Sequence, residues 1–169
     1  MTLNRLSSRT VFALIALCCG LLMGYALFAQ HVQGFEPCML CMVQRVFVCA
    51  AGVVALAAAM HGAATVGRRV YGSLTALVAL GGAYVAGRHV YLQWLALNAP
   101  EKLDGCAPSF EYALQNYGLP KFFSTIFIRE QDCGVIDWTF LGLSMPTWTL
   151  FWFVIIAGVA VWAGFRRAR

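Results

Sequence analysis

Four apolar stretches constrain this chain more than any other feature, because each is long enough to cross a lipid bilayer. A helix rises about 1.5 Å per residue, so about 20 apolar residues span a hydrocarbon core of about 30 Å. The stretches lie at about 11–29, 43–61, 70–91 and 147–165 of the 169 residues. Only 11% of the residues are charged, against about 25% in soluble domains. We therefore predict an all-α membrane protein, a single domain over 1–169 that folds as a four-transmembrane-helix bundle.

The basic residues predict how the bundle sits in the bilayer. Arginines cluster at both termini and between the second and third stretches: Arg5, Arg9, Arg68, Arg69, Arg166, Arg167 and Arg169. Because Lys and Arg accumulate on the cytoplasmic side, both termini are predicted to be cytoplasmic. The connections at about 30–42 and 92–146 then lie outside, and all seven acidic residues fall within them. The net charge of +5 thus reflects orientation in a membrane, and no nucleic-acid partner is expected.

The second outer connection is too long to be a simple link between helices. Loops of this length are usually functional or disordered. Within it, residues 119–128 are strongly apolar but only about half as long as a spanning helix. This segment either packs on top of the bundle or lies in the membrane interface as a short interfacial element.

The seven cysteines fall into two groups. Three lie within the apolar stretches, where cysteine usually acts as a small hydrophobic residue: Cys18, Cys19 and Cys49. Four lie in the outer connections: Cys38, Cys41, Cys106 and Cys133. Four thiols on the oxidising face of a membrane are expected to form two disulfides. Three pairings are possible, and spacing favours Cys38 with Cys41 and Cys106 with Cys133.

The Cys38–Cys41 pair is predicted to act chemically, because so small a ring constrains little of the unfolded chain. Pro37 suits the first position of the second helix, which would put both cysteines in its first turn. The helix N-terminus stabilises a thiolate there. Arg45 lies one turn deeper on the same face as Cys41. Its positive charge there would further lower the pKa of the thiol, and its hydrogen-bond donors would hold an anionic reduced ligand. The alternative is an interfacial arginine that snorkels to lipid head groups.

The remaining polar candidates are less specific. A Cys106–Cys133 bond would close about 27 residues, so a static staple worth roughly 3 to 4 kcal/mol competes with a reactive role. Zinc is a weak alternative, since one Cys-x-x-Cys and two distant cysteines do not form a typical metal pattern, and no metal is predicted. The three histidines, His31, His61 and His89, form no local cluster. Ordinary roles are favoured for each, although His89 lies near the outer end of the third helix, within reach of a bound ligand.

Together these motifs resemble the DsbB family of bacterial inner-membrane disulfide oxidoreductases over nearly the whole chain. The resemblance lies in the segment Pro-Cys-x-Leu-Cys-x-x-Gln-Arg at 37–45, in the single cysteines 106 and 133, and in the run Trp-Thr-Phe-Leu-Gly-Leu-Ser-Met-Pro-Thr-Trp at 138–148. It implies an enzyme with its active cysteines on the periplasmic side. It also implies a partner, a periplasmic DsbA-like oxidase of thioredoxin fold, and a cofactor, either ubiquinone or menaquinone.

The same resemblance implies a role for each site residue. Cys106 would be attacked by the reduced partner, and the released Cys133 would exchange with Cys38. Cys41 would then face the quinone, which Arg45 would hold. The competing hypothesis from another class is a non-enzymatic membrane scaffold or binding protein whose outer loop is stapled by structural disulfides.

Overall fold

The fold is a bundle of four long helices in a computed structural model that describes residues 7–62, 64–102, 132–134, 136 and 138–166. The helices are α1 (Ser8–His31), α2 (Met39–His61), α3 (Thr65–Asn98) and α4 (Met145–Phe165). All four are long and apolar enough to cross a membrane. The prediction of a four-helix, multi-pass membrane protein is therefore confirmed. Cys106 and the apolar segment 119–128 lie outside the described residues.

One helix start and one helix end differ from the sequence-based expectation. Pro37 precedes the helix, and Cys38 occupies the N-cap of α2 with extended backbone angles (φ −68°, ψ 171°). Only Cys41 of the pair therefore lies within the first turn. The third helix reaches Asn98, well beyond the predicted 70–91, because its polar outer part lowers the mean hydropathy without breaking the helix. Hydropathy marks the membrane-spanning part of a helix, whereas backbone geometry decides where the helix ends.

The helices pack in chain order around the bundle, with the most extensive contact between α3 and α4 and little contact between α2 and α4, which lie diagonally opposite. Small residues let the backbones approach closely. A Cβ added at Gly72 of α3 would lie 2.8 Å from the carbonyl oxygen of Ala160 and 2.8 Å from Cα of Gly164, both in α4. Ala51 of α2 and Ala79 of α3 are fully buried.

The two ends of the bundle differ in chemistry. At one end, Arg68 of α3 donates to the carbonyl oxygens of Gly164 and Arg166, and Arg166 donates to Ser8 at the start of α1. Arg9 donates to the carbonyl oxygen of Ala59 near the end of α2. The arginines singled out in the sequence therefore gather at one end wherever they are described. Cys38 and Cys41 lie at the opposite end, where α2 begins.

A short hairpin leads into α4 at the cysteine end. Its strands, β1 (Thr139–Phe140) and β2 (Leu143–Ser144), pair antiparallel across a turn at Leu141 and Gly142, both with positive φ. The indole nitrogen of Trp148 in α4 donates to the carbonyl oxygen of Phe140 at 3.1 Å. This bond holds the hairpin, with its aromatic side chains, against the top of α4.

Candidate functional site

Two helices, α2 and α3, and a short turn bring thiols and an imidazole together at one end of the bundle. The sulfur atoms of Cys38 and Cys41 lie 3.4 Å apart at the start of α2. His89 projects from α3 against both of them, with Nε2 3.8 Å from the Cys38 sulfur and Nδ1 4.0 Å from the Cys41 sulfur. His89 is buried, with 3% of its surface exposed. The ring therefore lies across the cysteine pair and is shielded from solvent.

Cys133 completes this cluster from a distant part of the chain. It lies in a one-turn 3-10 helix, Asp132–Gly134, which packs on α3, and it is fully buried. The sulfurs of Cys38 and Cys133 and a ring nitrogen of His89 all lie within 4.8 Å of one another. Such proximity is what thiol exchange requires, so these atoms do not by themselves indicate a metal. Cys38 lies between Cys41 and Cys133, able to bond to either after a small movement.

Hydrogen bonding favours the charged form of Cys38. Its bonds with the thiols of Cys133 and then Cys41 hold the pKa of the Cys38 thiol well below its usual range, with a smaller contribution from His89. Burial opposes this effect but does not cancel it. Since the thiolate is the nucleophile in disulfide exchange, Cys38 is the activated member of the pair.

Arg45 is held by α1. Its Nη2 donates to the carbonyl oxygen of Ala26 at 3.1 Å, and its Nη1 donates to Oε1 of Gln30. Nη1 also lies 3.8 Å from the sulfur of Met42. These contacts fix the guanidinium inside the bundle. The alternative in which Arg45 extends to lipid head groups does not fit this arrangement.

A cavity of about 400 Å³ adjoins the cluster. Cys38, Cys41, Arg45 and His89 line one part of it. Its other walls are largely aromatic: Tyr25 of α1, Phe35, Trp138 and Phe140 of the hairpin region, and Trp148 and Trp152 of α4. It lies between α1 and α4, which make fewer contacts with each other than α1 makes with α2. Its volume falls within the range of small-molecule sites, roughly 300 to 1,000 Å³.

Comparison with known proteins identifies the family. The sequence model of the family described as Disulfide bond formation protein DsbB matches residues 8–163. The chain belongs to the DsbB family. It is 42% identical to Disulfide bond formation protein B of Azoarcus sp. over 159 residues, 94% of this chain and 93% of the relative. It is 45% identical to the protein of that name from Methylococcus capsulatus over 148 residues, 88% of each chain. With the Saccharophagus degradans protein it shares 38% over 171 residues, 99% of this chain and 100% of the relative.

The structure brings together most of the site residues that the sequence singled out in this DsbB-family chain. Cys38, Cys41 and Cys133 share one cluster, and Arg45 lines the cavity beside it. Cys106 is the exception, since it lies outside the described residues. Cys18, Cys19 and Cys49, in the apolar helices, do not line the cavity; Cys19 is buried, Cys18 is half-buried and Cys49 is exposed.

Sequence reasoning missed three polar residues of the DsbB-type site. Gln44 places its amide nitrogen 3.0 Å from Nδ1 of His89, and Gln93 accepts a 2.6 Å hydrogen bond from Ser144. Gln44 is 4% exposed and Gln93 6%. The available signal was polarity itself, because a glutamine inside an apolar helix needs a buried partner. The sequence assigned no specific role to His89. Its contact with both cysteines places it in the thiol cluster.

Proposed function

We propose that this DsbB-family protein reoxidises a periplasmic DsbA-type dithiol oxidase and passes the electrons to membrane quinone. The observation that carries the proposal is the direct contact between a thiol cluster and an aromatic cavity of about 400 Å³. A disulfide used only as a staple needs no cavity beside it. An electron acceptor that reaches the cysteines from the membrane needs such a cavity in which to bind.

The residues around the cavity fit a quinone ring. Aromatic side chains such as Trp138 and Trp148 offer flat apolar surfaces, and Arg45 offers donors suited to a carbonyl oxygen that gains negative charge. These residues would hold the ring next to Cys41. Nothing in an apolar pocket of this kind distinguishes ubiquinone from menaquinone.

The proposed exchange runs through four cysteines. A thiolate of the reduced partner attacks Cys106, the Cys106–Cys133 bond breaks, and Cys133 leaves as a thiolate. Cys133 then attacks Cys38, the Cys38–Cys41 bond breaks, and Cys41 becomes a thiolate that faces the cavity. The short distance between the sulfurs of Cys133 and Cys38 supports this transfer.

Completion of the cycle restores both disulfides. The partner's second thiolate attacks its own cysteine in the mixed disulfide, which leaves the partner oxidised and releases Cys106. Cys106 attacks Cys133 and frees Cys38 as a thiolate. A quinone held in the cavity would accept the two electrons released when the Cys38–Cys41 bond re-forms, together with two protons.

Redox energetics favour an external acceptor. DsbA is a strong oxidant at about −120 mV, and 30 mV corresponds to about 1.4 kcal/mol for a two-electron couple. An ordinary stable disulfide, below about −300 mV, cannot reoxidise it downhill.

The basic end of the bundle supports a cytoplasmic placement for that end. The cysteine end would then face the periplasm, with the protein in the bacterial inner membrane.

Turnover by the purified protein tests the proposal. With a short-chain quinone and a reduced DsbA-type partner, we expect one quinol for each disulfide formed in the partner. If neither product appears while the cysteines remain paired, the protein is instead a scaffold stapled by disulfides.

Trapping of the mixed disulfide tests the order of the relay. Cys106→Ala should abolish a trapped complex with the partner. Cys133→Ala should accumulate it when the partner is supplied with its own disulfide formed, because the free Cys106 thiolate attacks that disulfide, one partner cysteine leaves as a thiolate, and no Cys133 thiol remains to release Cys106. Equal trapping in the two variants would contradict the assigned order.

A further inference from the structure

Gln44 and His89 form a buried hydrogen-bonded pair. The chemistry of the amide group fixes which atom donates and which accepts. The amide nitrogen of Gln44 lies 3.0 Å from Nδ1 of His89. An amide nitrogen only donates hydrogen bonds, so Nδ1 must accept. A neutral imidazole that accepts at Nδ1 carries its proton on Nε2. The contact with Gln44 therefore selects one tautomer of the ring.

The selected tautomer matters because Nε2 is the ring atom that faces Cys38, at 3.8 Å. With its proton on Nε2, His89 donates toward the sulfur and stabilises negative charge there. The other tautomer would turn a lone pair toward the same sulfur, which favours the protonated thiol instead. In the proposed cycle, Cys38 leaves as a thiolate when Cys106 attacks Cys133, so a donor at this point assists that step.

We propose that Gln44 is a positioning residue, which fixes His89 in the tautomer that donates from Nε2 to Cys38. The inference rests on the proposed function for its role in turnover, but the tautomer itself is a property of the protein alone. Gln44 acts through the imidazole.

The surroundings of the ring do not offer an equivalent donor for Nδ1. The titratable and charged groups that line the site around His89, among the described residues, come from three parts of the chain: Tyr25 of α1, Glu36, Cys38, Cys41 and Arg45 at or near the start of α2, and Cys133 of the 3-10 helix. Cys41 lies 4.0 Å from Nδ1, a longer and weaker contact than the amide at 3.0 Å. Arg45 is bonded to α1. The glutamine is therefore the dominant partner of Nδ1.

Nitrogen-15 NMR of histidine-labelled protein tests the proposal without quinone or partner. The variants His31→Gln and His61→Gln assign the signals, since the chain has three histidines. At about pH 7.5, we expect His89 to carry a proton on Nε2 and none on Nδ1. A proton on Nδ1 of the unaltered protein would overturn the proposal.

Two matched glutamine variants separate hydrogen bonding from charge. In Gln44→Glu the new carboxylate can only accept, so Nδ1 of His89 should become protonated. Gln93→Glu adds the same charge one turn along α3, where the Ser144 hydroxyl can still donate to the new side chain. This control should leave Nδ1 without a proton. Identical spectra for the two variants would show that charge, and not the Gln44 contact, determines whether Nδ1 of His89 is protonated.

A reactivity measurement adds a functional readout. In the reduced protein, Gln44→Leu should slow alkylation of Cys38 by iodoacetamide about two- to tenfold, the effect of one ordinary hydrogen bond. Unchanged alkylation, with Nε2 still protonated, would show that the ring needs no help from Gln44. If the tautomer is as expected but the protein fails to reduce quinone, the proposed function fails and the positioning role for Cys38 reactivity stands.

Discussion

The two ends of the bundle differ in how closely the same helices pack. At the arginine end, α3 and α4 meet at Gly72 and Gly164 so closely that a single added carbon would collide with backbone atoms. The cavity there is only about 20 Å³, against about 400 Å³ at the cysteine end. Tight packing at one end stabilises the bundle, and this leaves the other end free to hold a cavity and buried polar groups that cost stability.

The comparison implies that substitutions at the two ends should have different consequences. Changes at the cysteine end should alter chemistry and quinone dependence. Changes at the arginine end should alter thermal stability and leave the chemistry intact. The following predictions test this separation, beginning with the largest effect on turnover.

Loss of Cys41 should have the largest effect. Cys41→Ser removes the thiol that must re-form the disulfide, so quinone reduction should fall by about a thousandfold or more. Spectroscopic measurement of quinol production checks this. The matched control is Cys49→Ser in the same helix, which should retain turnover because Cys49 is exposed on the outside of the bundle. Similar losses in both variants would assign the effect to folding.

Loss of Arg45 should act on the quinone specifically. Hydrogen bonds from charged groups are worth about 1.5 to 3 kcal/mol, so Arg45→Ala should raise the apparent quinone KM roughly 10- to 100-fold. Partner binding should be nearly unchanged. Arg69→Ala, an exposed arginine at the opposite end, provides the control. Steady-state kinetics at varied quinone concentration measure this effect. The same quinone KM in the two variants would contradict the assignment of Arg45 to the quinone site.

The pH dependence of Cys38 should report its contact with Cys133. Because this hydrogen bond is the main cause that lowers the pKa of the Cys38 thiol, its thiolate persists below the usual cysteine pKa of about 8.5. Cys133→Ala should raise that pKa, so alkylation of Cys38 at a given lower pH should slow about tenfold and its profile should move to higher pH. Mass spectrometry of the reduced protein measures this, and an unchanged profile would argue against the contact.

Substitution at the arginine end should affect stability alone. Gly72→Ala forces α3 and α4 apart, and such overpacking costs about 1 to 3 kcal/mol of unfolding free energy. Turnover at moderate temperature should stay within about twofold of the unaltered protein. Gly158→Ala in α4, where an added Cβ meets nothing within 4 Å, should keep the thermal midpoint or raise it slightly. A changed quinone KM in Gly72→Ala would break the separation between the two ends.

The sequence predicted the helices well because membrane insertion depends on local composition. A run of apolar residues long enough to span is visible without any knowledge of tertiary contacts. The Cys-x-x-Cys pair and Arg45 were also visible, since they lie within two helical turns of one another. The start of α2 was less predictable, because Pro37 suits both the first helical position and the residue before a cap.

The sequence could not predict the contacts that define the site. His89 is 51 residues from Cys38 and 45 from Gln44, and no local pattern links them. Their meeting depends on how α2 and α3 pack side by side, which local sequence does not determine. Likewise, spacing alone favoured Cys106 as the partner of Cys133 and gave no sign that Cys133 lies beside Cys38.

The redox state of Cys38 and Cys41 in cells with and without quinone tests the central claim most directly. If electrons leave through the cavity, removal of quinone should leave both cysteines as free thiols, and added quinone should restore their disulfide. Thiol trapping followed by mass spectrometry distinguishes the two states. A Cys38–Cys41 disulfide that remains intact without quinone, while the partner is still being reoxidised, would contradict the account.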